Sequence, residues 1–397
     1  MPMHSGWLPR EGTSCLPHKL VSNSNADSPG LTIDPIGRLI KNTILNPVVT
    51  LPFLLAVRYS KQGAGLSILH ETAFSGIKYL FILGLLRLAS KYLDAGVLNN
   101  WAKDNYDWTK EIVLVTGGAG GIGGEIVKLL AEREIKVIVL DVIPMTFKAR
   151  TTLRPLLDNL SLIRTIAKYV YCYKCDITSP SAISAVAREI RRDAGEPTIL
   201  INNAGVARGK SILDATEDDV RFTFDVNTLA HYFMAKEFVP SMVKRDHGMI
   251  VSVASAAAYL TAPGMVDYAA SKVATLAFHE GLTAELVARY NAPRVRTVVV
   301  NQGYTKTPLF QGFKDGSQFI VPSLEPQTVA EAIVRQVLSG TSGQIIIPGI
   351  GGLFTLLRGF PHWVQIKMRA QGRDLMTNWN GRQVMDVEKR KKDKESE

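Results

Sequence analysis

From Ile112 onward the chain alternates short, wholly apolar runs with longer stretches whose apolar residues return every three or four positions. The runs Ile112–Val115, Val137–Leu140, Thr198–Ile201 and Met249–Ser252 predict strands. Others are expected up to Asp176, at Arg296 to Val300 and at Gln344 to Ile347. Between them, patterns such as Ile122, Ile126, Leu129 and Leu130 predict helices. These are placed from about Pro180, as one long helix across Asp218 to Val243, around Tyr268 to Arg289 and near Val329 to Leu338. Strands alternating with helices predict an α/β fold, a doubly wound parallel sheet that binds its ligand outside the carboxyl ends of the strands.

Ahead of this alternation the pattern is different. Residues 1–30 are rich in Ser, Asn, Pro and Gly and read as a flexible leader rather than a secretory signal. Residues 31–98 carry two apolar segments, Ile44–Val57 and Ile77–Ala89. Each is shorter than the roughly 20 residues of a straight spanning helix. With the polar link from Arg58 to Gly65, they predict a re-entrant hairpin or interfacial helices, Lys78 and Arg87 snorkelling to headgroups. Packing as ordinary helices on the following domain is the alternative. Trp101 to Lys110 reads as a linker, which gives a membrane-associated region and linker over 31–108 and a catalytic domain over 109–348. An insertion, 142–169, interrupted by Pro144 and Pro155, has no assigned role. Beyond Pro348, residues 349–397 form an amphipathic segment and a charged tail; Leu353–Val364 suits a second membrane-facing patch or a cap on the substrate pocket.

A net charge of +10 on 397 residues raises the question of nucleic acid, but the basic residues are dispersed and no nucleic-acid motif is present. An anionic membrane surface is the better partner. Cys15, Cys172 and Cys175 make no even disulfide framework, and the last two are expected as buried thiols on a strand.

The chemistry begins at Thr116-Gly117-Gly118-Ala119-Gly120-Gly121-Ile122-Gly123, between the first strand and its helix. A strand feeding a glycine turn into a helix N-terminus makes a phosphate site, because glycine lets backbone approach a pyrophosphate and unpaired N–H groups point at it. Asp141 ends the second strand, about 20 residues on, where an acid accepts hydrogen bonds from an adenosine ribose. Tyr268 and Lys272 share one helix face, and Ser255 ends the fifth strand, from which it can turn toward them. Hydride transfer from an alcohol requires the hydroxyl proton to leave. A phenol becomes a usable base at neutral pH when an ammonium and a positive nicotinamide stabilise its phenolate. Lys272 is therefore expected to lower the Tyr268 pKa, and Ser255 to hold the substrate oxygen.

Taken together, Thr116-Gly117 through Gly121-Ile122-Gly123, Asp176, Asn202-Asn203-Ala204-Gly205, Asn227, Ser255, Tyr268 and Lys272 resemble a classical short-chain dehydrogenase/reductase over about Glu111 to Pro348. That resemblance implies a Rossmann-like fold with Gly117, Gly121, Ile122 and Gly123 at the cofactor, Asp176 at the adenine, and Asn203, Ala204 and Gly205 lining the site. It adds Asn227 to the catalytic set, fixing a water that links Lys272 to solvent, and Thr307 at the nicotinamide carboxamide. Gln302 stands where the family carries proline.

The apolar N-terminal extension is similar to the membrane-associated retinol and 17β-hydroxysteroid branch, which implies lipophilic alcohols or ketones at the endoplasmic reticulum or lipid droplets, with the catalytic domain facing the cytosol. NAD is the expected cofactor, because Asp141 would repel the 2′-phosphate of NADP, with NADP the alternative. For the function, an NADPH-dependent carbonyl reductase and a catalytically idle nucleotide-binding adaptor on a lipid surface are the alternatives, and a second copy of the chain, in a homodimer, is a candidate partner.

Overall fold

The computed structural model describes residues 33–60, 71–144, 168–314 and 321–383. The leader with Cys15, most of the link after Arg58, the insertion around Lys148, Arg150 and Pro155, and the charged tail lie outside the described residues. The strands are β1 (Ile112–Thr116), β2 (Lys136–Asp141), β3 (Val170–Lys174), β4 (Ile199–Asn202), β5 (Met249–Val253), β6 (Arg296–Gln302) and β7 (Gly343–Ile347). The α-helices are α1 (Ile33–Asn42), α2 (Pro47–Tyr59), α3 (Glu71–Leu98), α4 (Gly121–Ala131), α5 (Pro180–Asp193), α6 (Glu217–Phe224), α7 (Ala230–Arg245), α8 (Val266–Ala288), α9 (Pro326–Leu338) and α10 (His362–Ala370).

All seven strands pair in parallel in the order β3-β2-β1-β4-β5-β6-β7. Helices cover both faces, so the central strands β1, β4 and β5 are buried throughout, as their unbroken apolar runs require. On one face Leu114, Ile138, Leu200 and Ile250 pack with Ile183, Met234 and Phe238 of α5 and α7. On the other, Val113, Val139, Ile201 and Val251 pack with Ile126 and Leu130 of α4 and Ile333 and Val337 of α9. The sheet is the doubly wound, Rossmann-like α/β arrangement expected. Strand order reverses between β1 and β4, and there a crevice opens at the strands' carboxyl ends.

Four expectations change. The stretch Asp218 to Val243 is not one α-helix: a π-helical turn, Asp225–Leu229, separates α6 from α7, and it carries the buried Asn227. Cys172 is exposed, because β3 is an edge strand, whereas Cys175 is buried. The second apolar segment belongs to a much longer helix. No breaker ends α3 until Asn100 and Trp101, both with positive φ, so it runs for 28 residues, roughly 40 Å at helical rise. It is long and apolar enough to cross a membrane, and only 6% of its apolar window is buried. Finally, Trp101 to Lys110 is docked rather than loose. Buried Arg296 donates to the carbonyls of Asn99 at 2.9 Å and Ala102 at 2.6 Å, and Tyr106 donates to the Gly248 carbonyl at 2.7 Å.

At the N-terminal side, α2 and α3 form a packed hairpin whose crossing point is Gly84. A Cβ there would stand 2.9 Å from the Leu45 carbonyl oxygen, so only glycine permits this approach. Arg87 turns inward, donating to the Lys41 carbonyl at 3.2 Å instead of reaching outward.

Candidate active site

Each wall of the crevice is set by a local conformational demand. After β1 the chain turns at Gly117 (φ +66°) and Gly121 (φ +56°), left-handed positions that favour glycine. Gly120 precedes α4 without any side-chain cap, and a Cβ there would meet nothing within 4 Å. The helix therefore begins with open N–H groups beside free space, which fits a pyrophosphate. Gly123 does different work. Its Cβ would fall 2.2 Å from the Gly117 oxygen, so it lets α4 close onto the turn and lies beneath the cavity wall.

The Asp141 carboxylate is held at the cavity by Ala119 N–H at 2.9 Å and Ile143 N–H at 3.2 Å. Asp176 also lines it, accepting from the Thr178 backbone at 2.9 Å and hydroxyl at 2.7 Å. The Thr116 hydroxyl accepts from the N–H groups of Asn203 and Ala204 at 3.0 and 3.1 Å, which fixes the Asn-Ala-Gly loop to β1. Thr307 sits across the glycine turn, its Cγ2 3.6 Å from the Cβ that Gly121 lacks.

Ser255, Tyr268 and Lys272 converge at one side of the same cavity. Tyr268 is 3% exposed and meets Phe310 edge to face, with ring centroids 5.4 Å apart. Lys272 Nζ donates to the Val253 carbonyl at 2.8 Å. Asn227 is placed behind the wall. Its amide accepts from Val206 N–H at 2.8 Å and donates to the Val206 carbonyl and Ser271 hydroxyl at 2.9 Å each. The side chain thus splints the Asn-Ala-Gly loop to α8. The whole cavity, about 570 Å³, continues from these groups into an apolar chamber formed by Leu260, Met265, Phe313, Phe354 and Leu375.

The model of the short chain dehydrogenase family matches residues 111–318. The chain belongs to that family. The dehydrogenase is 46% identical to dehydrogenase RED2 of Cochliobolus heterostrophus, over 55% of this chain and 77% of that protein. It is 32% identical to rat estradiol 17-beta-dehydrogenase 11, over 63% and 80%, and 32% identical to human epidermal retinol dehydrogenase 2, over 66% and 81%. The last two relatives carry the names of the branch expected. The dehydrogenase is an NAD(P)-dependent oxidoreductase acting on CH–OH groups.

The electrostatics of the dehydrogenase are dominated by burial. Burial pushes the Tyr268 phenol up to about 12, against a hydrogen bond with Ser255 that pulls it down. Burial also brings Lys272 down to about 8. The Lys272 Nζ stands 5.8 Å from the Tyr268 ring centroid. Gln302 lines the cavity with its Oε1 buried and without a hydrogen-bond partner.

Sequence reading missed the strap formed by residues 371–383. Trp379 Nε1 donates to the Leu309 carbonyl at 2.9 Å, Arg382 N–H to the Pro308 carbonyl at 2.7 Å, and Met376 joins the cluster around Tyr268. The apolar trio Leu375, Met376 and Trp379, between the amphipathic segment Leu353–Val364 and the charged tail, was the available signal.

Proposed function

We propose that this dehydrogenase is membrane-associated and transfers hydride between NAD(H) and a lipophilic alcohol or ketone, a retinoid, steroid or long-chain lipid. The observation that carries the reading is one cavity that joins the glycine turn and Asp141 to Tyr268 and then to an apolar chamber. A bound nicotinamide would accept or give the hydride; this chain's residues hold it and manage the proton. Gly117, Gly121, Ile122, Asp141, Asp176, Asn203, Ala204, Gly205 and Thr307 are assigned to the cofactor, with Gly123 packing beneath them. Ser255 orients the substrate oxygen, and Tyr268 gives or takes its proton. Lys272 biases that exchange, and Asn227 holds the loop between them. The apolar chamber excludes water and favours a substrate with little polarity of its own.

In this reading residues 109–348 are the dehydrogenase domain and residues 31–108 attach it to the membrane, with α3 exposing Ile82, Leu86 and Leu93 to lipid. Residues 349–397 contribute the strap and tail. The endoplasmic reticulum or a lipid droplet, with the catalytic domain toward the cytosol, is the compartment that suits such a substrate. The test is to incubate membranes containing the full chain with retinoids, sterols and long-chain alcohols and to follow NADH and product together. Turnover confined to small water-soluble alcohols would overturn the substrate class.

A further inference from the structure

The strap is preceded by a surface with inverted polarity. After β7 the chain forms a 3-10 helix, Gly349–Gly359, and then α10. On α10, Trp363, Ile366, Lys367 and Ala370 share one face and are exposed, Trp363 at 71% and Ile366 at 67%. The opposite face turns Met368 and Arg369 into the cavity wall. A surface helix normally points its apolar residues inward. Here an aromatic and a β-branched residue point outward, joined by Leu353, Leu356 and Phe360, each between 46% and 59% exposed.

Two further observations identify what covers this face. Arg358 and Lys367 are exposed on it, and residues 349–372 contain no acidic residue. The face also abuts the N-terminal apolar region. Asp34 of α1 accepts from the N–H groups of Gly349 at 2.8 Å and Ile350 at 3.1 Å, which places the exposed Ile36, Leu39 and Ile40 of α1 beside it. Tryptophan, aliphatic residues and basic side chains together are the composition of an interfacial lipid contact.

We propose that the outer face of the 3-10 helix and α10 is a second membrane contact, seated on an anionic lipid surface, and that bilayer-dissolved substrate reaches the cavity past α10. One face of this helix touches lipid and the other touches the chamber, so it is the lip between the two. The site's use by a lipophilic substrate rests on the function proposed above; the lipid contact does not. Arg358 and Lys367 lie at headgroup level, and anionic lipid tightens the seating.

The full chain is reconstituted into phosphatidylcholine vesicles, with and without phosphatidylserine, whose acyl chains carry bromine as a tryptophan quencher. Wild-type fluorescence is expected to be quenched more than that of Trp363→Phe, and the difference to grow with phosphatidylserine. Trp363→Ser with Ile366→Ser should stay in the membrane through α3. The apparent KM for a long-chain alcohol dissolved in the bilayer should rise about tenfold or more, while kcat and the KM for a short water-soluble alcohol hold. Equal quenching of wild type and Trp363→Phe would overturn the contact, as would a concentration-dependent dimer that shields Trp363. Quenching of Trp363 without turnover of any long-chain alcohol would leave the lipid contact standing and remove the proposed substrate class instead.

Discussion

Lys272 Nζ stands 5.8 Å from the centroid of the Tyr268 ring and donates to the Val253 carbonyl at 2.8 Å, so the ammonium is pinned to the end of β5 beneath the phenol. Burial holds Tyr268 near 12 and Lys272 near 8. In this state the phenol is protonated at neutral pH and set to give a proton. Carbonyl reduction is therefore expected to vary little between about pH 6 and 8, whereas kcat/KM for alcohol oxidation should climb with pH as the phenolate fraction grows. Lys272→Met should move the oxidation profile to higher pH, because it removes the positive charge that favours phenolate. A wild-type oxidation profile that is flat across this range would refute the assignment of the base.

The glycine turn separates fold from binding. A Cβ at Gly123 would meet the Gly117 oxygen at 2.2 Å and Asn203 Nδ2 at 2.5 Å, while one at Gly120 meets nothing within 4 Å. Gly123→Ala should lower the melting temperature and abolish NADH binding. Gly120→Ala should melt like wild type and yet bind NADH more weakly, because its methyl intrudes where a pyrophosphate approaches. Thermal denaturation and fluorescence titration give both readings; loss of stability in Gly120→Ala would contradict this view of the turn.

Asp141 is proposed to decide between cofactors. Its carboxylate is fixed by the backbone of Ala119 and Ile143 and would meet a 2′-phosphate with like charge. NADH should bind more tightly than NADPH, and Asp141→Ala should weaken NADH while improving NADPH, each by about tenfold as suits one charge-assisted contact. Tighter NADPH binding that is indifferent to Asp141→Ala would exclude the NAD preference.

The strands and their order follow from short apolar runs flanked by turn residues, and the glycine turn, Asp141, Ser255, Tyr268 and Lys272 are recognisable because their spacing is local. What sequence does not supply is energetic competition in three dimensions. The upward shift of the Tyr268 pKa comes from burial, which no spacing encodes. The π-helical turn at Asn227 breaks a periodicity that looks continuous from Asp218 to Val243. Likewise α3 extends through Lys91 and Asp94 because nothing there stops a helix, although its apolar run ends at Ala89. The strap is long-range: Met376 reaches Tyr268 across more than a hundred residues.

Two buried imidazoles predict acid sensitivity. Burial pushes His231 down to about 3, reinforced by Lys272 and His279, and burial pushes His279 down to about 4. His279 is held by the Ser252 hydroxyl at 3.1 Å. Both are neutral in the fold, whereas the unfolded chain takes up protons near pH 6.5, so the unfolded state binds more protons below that value. Stability is full above about pH 6.5 and falls as the pH drops toward 4, by up to about 1.4 kcal/mol per pH unit for each imidazole. Denaturant midpoints at pH 7 and 5 measure this, and His279→Gln should flatten the dependence. An unchanged slope in that variant would assign the acid sensitivity to other groups.

The most direct measurement is turnover by Tyr268→Phe on an established substrate, with NADH affinity measured in parallel. The phenyl ring keeps the edge contact with Phe310 and loses only the ionisable oxygen. Turnover should fall by about 10²-fold or more while NADH binding stays close to wild type. Wild-type turnover in this variant would contradict proton transfer at Tyr268.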